Sequence, residues 1–119
     1  MSCLFNSLSH FIQENSFMIR QKICDYLESN HAIMDGLETK FILELDSKNY
    51  INQMRSTSTW GGAIEIQAAC NIYSARIIVH NYRESWKSDK KIEFLPLHKN
   101  YEKTFEIYWT GGHYEPIII

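Results

Sequence analysis

Apolar residues recur three and four positions apart along the first part of the chain. This spacing predicts one helix over residues 3–12 and a second helix whose apolar stripe runs from Ile19 to Leu27. Ser16 is placed to cap the second helix, because a hydroxyl oxygen can accept a hydrogen bond from a free N–H of the first turn. The polar positions of that helix are expected to face solvent: Arg20, Lys22, Asp25 and Glu28.

The middle of the chain has a less regular pattern. Residues 34–45 mix helix formers with a glycine and predict a weak helix or an irregular linker, whereas residues 48–55 predict a short helix. Residues 63–71 predict a helix that is hydrophobic on most sides, with Glu65 and Gln67 as its polar exceptions.

Strand-like patterns dominate the last third of the chain. Residues 76–80 are rich in β-branched side chains, and strands are also expected at 91–97, 104–109 and 113–119, with a loop at 82–90. Pro116 indicates an edge or the start of a strand, since proline cannot donate to a sheet ladder. Helices first and strands afterwards predict an α+β fold, with a small mixed sheet flanked by helices.

Composition narrows the possible functions. The 119 residues are 45% hydrophobic, which suits a single domain over 1–119, and the 14 acidic and 12 basic residues are scattered, so no nucleic-acid or membrane partner is expected. Three cysteines form no C-x-x-C pair, and neither a membrane span nor a signal peptide is visible. We therefore expect a soluble cytoplasmic protein in a reducing environment, either a monomer or part of a larger polypeptide.

Cys3 lies just before the first helical pattern. A thiol there is close to the positive end of the helix dipole and to free backbone N–H groups, which favour a thiolate. The alternative is a small buried side chain, the usual environment of a free cysteine. Cys24 and Cys70 keep that second interpretation, because both lie inside helical patterns.

His113 follows two glycines and precedes an acid by two positions. Gly111 and Gly112 allow a tight turn, and side chains at i and i+2 of a strand point the same way, so Glu115 can orient the imidazole. The glycines alone are equally consistent with an ordinary hairpin turn. The remaining histidines lack the spacing of a metal site and are interpreted as surface or hydrogen-bonded side chains: His10, His31, His80 and His98.

Three motifs together give a more specific signal than any one of them. They are the run Cys-Leu-Phe-x-Ser-Leu that begins at Cys3, the run Trp60-Gly61-Gly62-Ala63-Ile64-Glu65-Ile66, and the run Gly112-His113-Tyr114-Glu115-Pro116-Ile117. In order and spacing they resemble the ovarian-tumour (OTU) family of cysteine proteases, most of which are deubiquitinases. The resemblance spans nearly the whole chain and implies a papain-related cysteine protease fold.

The resemblance also implies roles for individual residues. Cys3 matches the nucleophile and His113 the general base, while Glu115 occupies the position where the family often has Asp or Asn. Backbone N–H groups of Ser2 and Cys3 would form the oxyanion hole. Substrates of the family end in Gly-Gly, so a narrow channel is expected, with the residues Trp60, Gly61 and Gly62 as its wall; alternatively, Trp60 belongs to the core and the glycines only start the next helix.

Two functions follow from this resemblance. The first is a cysteine-dependent isopeptidase that removes ubiquitin or a ubiquitin-like modifier and needs no cofactor. The second is a catalytically impaired relative that binds ubiquitin without cleaving it. A third possibility, an unrelated small α+β domain, would make all three motif matches accidental. For the first function, folding must bring Cys3 and His113 within hydrogen-bond reach, with Cys24 and Cys70 away from any histidine.

The residues before Cys3 bear on the choice between an active isopeptidase and a catalytically impaired relative. Family members usually carry Asp-Gly-x-Cys, whereas Met1 and Ser2 precede Cys3 here, which indicates a shortened N-terminus or impaired catalysis. If the oxyanion hole needs the backbone of the loop that normally precedes the cysteine, this chain should bind ubiquitin but turn over slowly, since losing one oxyanion donor costs roughly a hundredfold in rate. Adding Asp-Gly before Ser2 should raise turnover of a fluorogenic ubiquitin substrate with little change in binding. An extended chain that is no faster would contradict this expectation.

Overall fold

A computed structural model of the chain describes residues 3–81, 90–110 and 113–117, the side chain of Lys90 excepted. In this part of the chain five helices precede four strands. The helices are α1 (Cys3–Phe11), α2 (Ser16–Glu28), α3 (Thr39–Asp46), α4 (Tyr50–Arg55) and α5 (Ala63–Tyr73). The strands are β1 (Ala75–Asn81), β2 (Lys90–Phe94), β3 (Lys103–Trp109) and β4 (Tyr114–Pro116).

The predicted elements are largely confirmed, with shifts at their ends. Residues 34–45, which the sequence left between helix and linker, contain all of α3 except its last residue. The cap of α2 is one residue earlier than predicted: the side chain of Asn15, and not of Ser16, accepts the Met18 N–H at 2.8 Å. Most of the predicted loop at 82–90 lies outside the described residues, as does the end of the last predicted strand, and Lys90 belongs to β2.

The sheet is small and mixed, as predicted. Its strand order is β2-β1-β3-β4, with β1 antiparallel to β2 and parallel to β3, and with β3 antiparallel to β4. Strand β4 therefore lies at an edge, where the missing N–H of Pro116 costs no ladder hydrogen bond. The edge position inferred from Pro116 is confirmed.

Helix α1 links the helical layer to this edge of the sheet. It packs against α2 on one side and against β4 on another, and its Phe11 ring stacks on Phe105 of β3 with the ring centroids 5.0 Å apart. Leu4, Phe5 and Leu8 of α1 are fully buried in the hydrophobic core, together with side chains from α2, α5, β1 and β3. None of the helices in the described ranges is long and apolar enough to cross a membrane.

The predicted solvent face of α2 is wrong at Arg20. Lys22, Asp25 and Glu28 are exposed, but the side chain of Arg20 is completely buried. Its guanidinium lies 4.2 Å from the centre of the Phe5 ring, and its Nη1 donates to the Met54 carbonyl at 2.7 Å. Since α2 packs against α1, α4 and α5, its buried face is wider than one apolar stripe.

Because Arg20 is buried, we expect the substitution Arg20→Leu to destabilise the fold. The substitution removes both the cation over the Phe5 ring and the donor to Met54, so the free energy of unfolding should fall by about 1–3 kcal/mol. Lys22→Leu on the same helix is the matched control, and it should lose less than about 1 kcal/mol because its ion pair with Glu14 is at the surface. Urea unfolding measures both variants, and equal losses would contradict the structural role of Arg20.

Candidate active site

Cys3 is the first residue of α1, as the sequence predicts, and it differs from the other two cysteines in exposure. Its side chain is partly exposed, whereas Cys24 and Cys70 are completely buried. Burial raises the pKa of the Cys24 thiol to about 11 and that of the Cys70 thiol to about 12. These two thiols are therefore protonated at neutral pH, and Cys3 is the candidate nucleophile of the three.

His113 and Glu115 lie side by side at the start of β4. The His113 Nε2 is 3.1 Å from the Glu115 Oε1, so the i, i+2 relation inferred from the sequence is a direct hydrogen bond. The His113 carbonyl accepts the Thr110 N–H at 3.0 Å, which ties the start of β4 to the end of β3. Both side chains remain about half exposed. The glycines before His113 lie outside the described residues.

Helix α1 and strand β4 bring the two ends of the chain together. They pack against each other, and Tyr114 of β4 is partly buried among the core residues. Burial raises the pKa of Tyr114, and the charges of Cys3 and Glu65 raise it further. Helix α1, which begins with Cys3, thus contacts strand β4. Strand β4 carries Glu115 and starts one residue after His113.

Tyr108 is a site residue that the sequence did not reveal. It is the register partner of Glu115 between β3 and β4, and its hydroxyl donates to the Glu115 Oε2. This hydrogen bond lowers the pKa of Glu115, and the hydrogen bond and charge of His113 lower it further. Glu115 is therefore ionised at neutral pH with both oxygens occupied, Oε1 by His113 and Oε2 by Tyr108.

The segment predicted as a channel wall lies next to the first turn of α1. Trp60 is 48% exposed, so the alternative that places it in the core is wrong. Gly62 is the N-cap of α5, which confirms that the glycines start the next helix. A Cβ atom on Gly61 would lie 2.7 Å from the Leu4 Cδ2, so any larger residue there would force the side chain of Leu4, the residue after Cys3, to shift. Ser2, the other predicted oxyanion residue, lies outside the described residues.

The remaining histidines have the environments that the sequence indicates. His80 is buried and its Nε2 is 2.9 Å from the Glu106 Oε1, while His10, His31 and His98 are exposed. Within the ranges that the structure describes, no group of three or more His, Cys, Asp or Glu side chains is arranged to hold a metal ion.

A helix that begins with a thiol packs here against a strand whose carboxylate is hydrogen-bonded to the histidine just before that strand. Cysteine proteases combine these three groups. Comparison with known proteins agrees. The family described as OTU-like cysteine protease matches residues 2–114, and the chain belongs to this family.

Relatives with assigned names point the same way. Over 98% of this chain, the sequence is 29% identical to "Ubiquitin thioesterase otu2" of Schizosaccharomyces pombe and 25% identical to "OVARIAN TUMOR DOMAIN-containing deubiquitinating enzyme 9" of Arabidopsis thaliana. The aligned parts make up 42% and 32% of those proteins. The chain therefore spans less than half the length of these relatives.

Solved structures show the same fold. An ovarian-tumour domain in complex with ubiquitin superposes with a TM-score of 0.73 at 22% identity, over 97% of this chain and 62% of that one. The OTU domain of OTUD1 superposes with a TM-score of 0.69 at 16% identity, over 99% of this chain and 79% of that one. The predicted fold class is confirmed, and an unrelated α+β domain is excluded.

The hydrogen bond from Tyr108 generates a prediction for pH dependence. Because the pKa of Glu115 is lowered in the folded chain, the ionised carboxylate stabilises the fold above its ordinary pKa, and this contribution disappears as the pH falls through the lowered value. Tyr108→Phe should raise the pKa of Glu115 toward the ordinary value of about 4.3. NMR titration of the Glu115 carboxyl carbon measures the change, with Tyr101→Phe, an exposed tyrosine, as the control. A pKa that stays in place would contradict the assigned role of Tyr108.

Proposed function

We propose that this chain is a cysteine-dependent isopeptidase that removes ubiquitin or a ubiquitin-like modifier from lysine side chains. The observation that carries the proposal is the hydrogen bond between His113 and Glu115, at a strand that packs against the helix beginning at Cys3. The names of the relatives, a ubiquitin thioesterase and a deubiquitinating enzyme, and the ubiquitin complex of a structural neighbour support the choice of substrate.

The geometry of His113 suggests which of its nitrogens acts as the base. Glu115 holds Nε2, so Nδ1 is the ring nitrogen that can take the proton from the Cys3 thiol. The ionised Glu115 stabilises the imidazolium that results, and Tyr108 keeps the carboxylate in place. Cys3, His113 and Glu115 are therefore the proposed catalytic residues.

The reaction proceeds by thiol acyl transfer. The Cys3 thiolate attacks the carbonyl carbon of the isopeptide bond, and the carbonyl oxygen carries the negative charge of the tetrahedral intermediate. When the carbon–nitrogen bond breaks, His113 gives its proton to the departing lysine amine. The acyl group stays on the Cys3 sulfur as a thioester. His113 then takes a proton from water, the hydroxide displaces the Cys3 sulfur, and the thiol regains its proton as the carboxylate product leaves.

The surroundings of Cys3 supply the remaining parts of the proposed site. Backbone N–H groups of Ser2 and Cys3 at the helix start are the proposed donors to the developing oxyanion. Trp60, Gly61 and Gly62 are the proposed wall of the channel for the Gly-Gly end of the substrate, because Gly61 lies against the residue that follows Cys3 and the Trp60 indole is half exposed.

The proposed reaction requires a reduced nucleophile, which is the reason to place the protein in the cytoplasm. Cys3, Cys24 and Cys70 are all free thiols, as expected in a reducing compartment. Acidic and basic residues are nearly balanced, which supports a protein conjugate as partner rather than a nucleic acid or a membrane. We propose that the domain acts as a monomer or within a larger polypeptide.

A ubiquitin probe with a C-terminal electrophile tests the proposed function. The probe should form an adduct at Cys3, and Cys3→Ala should abolish it. His113→Ala should slow labelling by roughly a hundredfold or more, since it removes the base. Glu115→Ala should cost less, because the Cys3–His113 pair can still form. His98→Ala, which alters an exposed histidine between β2 and β3, should label at the unchanged rate.

The outcomes separate the enzyme from the alternatives. Equal losses in His113→Ala and Glu115→Ala would show that the acid contributes as much as the base. A chain that binds ubiquitin and forms no adduct would instead be a ubiquitin-binding member of the family without protease activity. Labelling at Cys24 or Cys70 would contradict the assignment of the nucleophile.

A further inference from the structure

Glu65 is a buried acid outside the three proposed catalytic residues. Its side chain is completely shielded from solvent in the first turn of α5, although the sequence pattern marks it as a polar exception on that helix. Its Oε1 accepts the Gly62 N–H at 2.7 Å, and its Oε2 accepts the hydroxyl of Tyr50. A buried carboxylate needs such donors, because burying it without them is very costly.

The two hydrogen bonds connect parts of the chain that enclose the proposed channel wall. Tyr50 is buried and is the first residue of α4, whereas Gly62 is the cap residue of α5. The segment between these helices, residues 56–62, is also held just before Trp60, where the Thr59 hydroxyl donates to the Gln53 carbonyl at 2.6 Å. Trp60 therefore stands between two fixed points of the backbone.

Packing holds this segment closely on the side of α1. The position of a Cβ on Gly61 would be 2.7 Å from the Leu4 Cδ2 and 3.1 Å from the Phe5 ring, so Gly61 lies close against these two side chains of α1. The segment also lines a surface pocket of about 400 Å³ together with Tyr50 and Met54. On the side of this pocket, the hydrogen bonds of Thr59 and Gly62 hold the segment.

We propose that Tyr50 and Glu65 are positioning residues that fix the Gly61–Gly62 backbone against the start of α1 and so set the width of the channel for the Gly-Gly end of the substrate. The proposal rests on the proposed function. Neither side chain touches the reacting atoms in this scheme. Both act through the Gly62 N–H, and their effect falls on how the substrate tail is held rather than on the reactivity of the Cys3 thiol.

Tyr50→Phe is the mildest test, because it removes one hydroxyl and keeps the buried ring. The rate of ubiquitin-probe labelling is measured against probe concentration, and the alkylation rate of Cys3 by iodoacetamide is measured in parallel. A misplaced channel should raise the half-saturating probe concentration or lower the labelling efficiency by roughly ten- to a hundredfold. Alkylation by iodoacetamide, which does not use the channel, should stay within about twofold of the wild-type rate.

Two further substitutions test the same step in other ways. Gly61→Ala places a methyl group against Leu4 without touching the carboxylate, and it should reproduce the labelling defect of Tyr50→Phe. Glu65→Gln keeps an oxygen that can accept the Gly62 N–H, so it should lose less labelling than Glu65→Ala. The matched controls Tyr101→Phe and Glu102→Gln alter exposed side chains and should label like the wild type. Thermal unfolding shows that each variant is folded at the assay temperature.

Amide hydrogen exchange measures directly whether the Gly62 backbone is held in position. The Gly62 amide should exchange slowly in the wild type because Glu65 accepts from it, and faster in Tyr50→Phe and Glu65→Ala. Unchanged Gly62 exchange in both variants would overturn the positioning role. Variants that are less stable but label like the controls would overturn the channel role, and so would equal losses in probe labelling and alkylation.

A wild type whose Cys3 reacts with iodoacetamide but never with the probe would overturn the proposed function, and with it the role of this channel.

Discussion

The contact between α1 and β4 is the interaction on which the rest of the site depends. Helix α1 begins with Cys3 near one end of the sequence, and β4 follows His113 near the other. An edge strand of three residues has few ladder hydrogen bonds of its own, so side-chain packing must hold it in place. Tyr114 contributes to that packing from within the core cluster. The site therefore depends on packing between the helices and the sheet.

Polar groups close to this contact are buried, although charged side chains are rarely buried completely unless they are paired. Glu65 and Arg20 are completely shielded, and burial raises the pKa of the acid and lowers that of the base. Hydrogen bonds from Tyr50 and from the backbone of Gly62 and Glu65 oppose the shift of the acid, and the charge of Glu65 opposes that of Arg20. Such groups are tolerated because donors, acceptors and an aromatic face replace water, and they give the segments that they join one defined arrangement.

Environment separates residues of the same type into different roles. Cys24 and Cys70 are buried thiols that stay protonated at neutral pH, whereas Cys3 is partly exposed at a helix start. The two acids contrast in a similar way: burial raises the pKa of Glu65, while the Tyr108 hydrogen bond lowers that of Glu115. Protonation near the site thus follows from exposure and hydrogen bonding rather than from residue type.

Sequence alone determined the features that depend on neighbours along the chain. The periodicity of α1 and α5, the β-branched composition of β1, the edge position of Pro116 and the i, i+2 pairing of His113 with Glu115 were all predictable, because each reflects local spacing. Tertiary structure decided the burial of Arg20 and Glu65 and the contact of Tyr108 with Glu115. These depend on strand register and on which helices meet, and local periodicity carries no information about partners that are distant in the sequence.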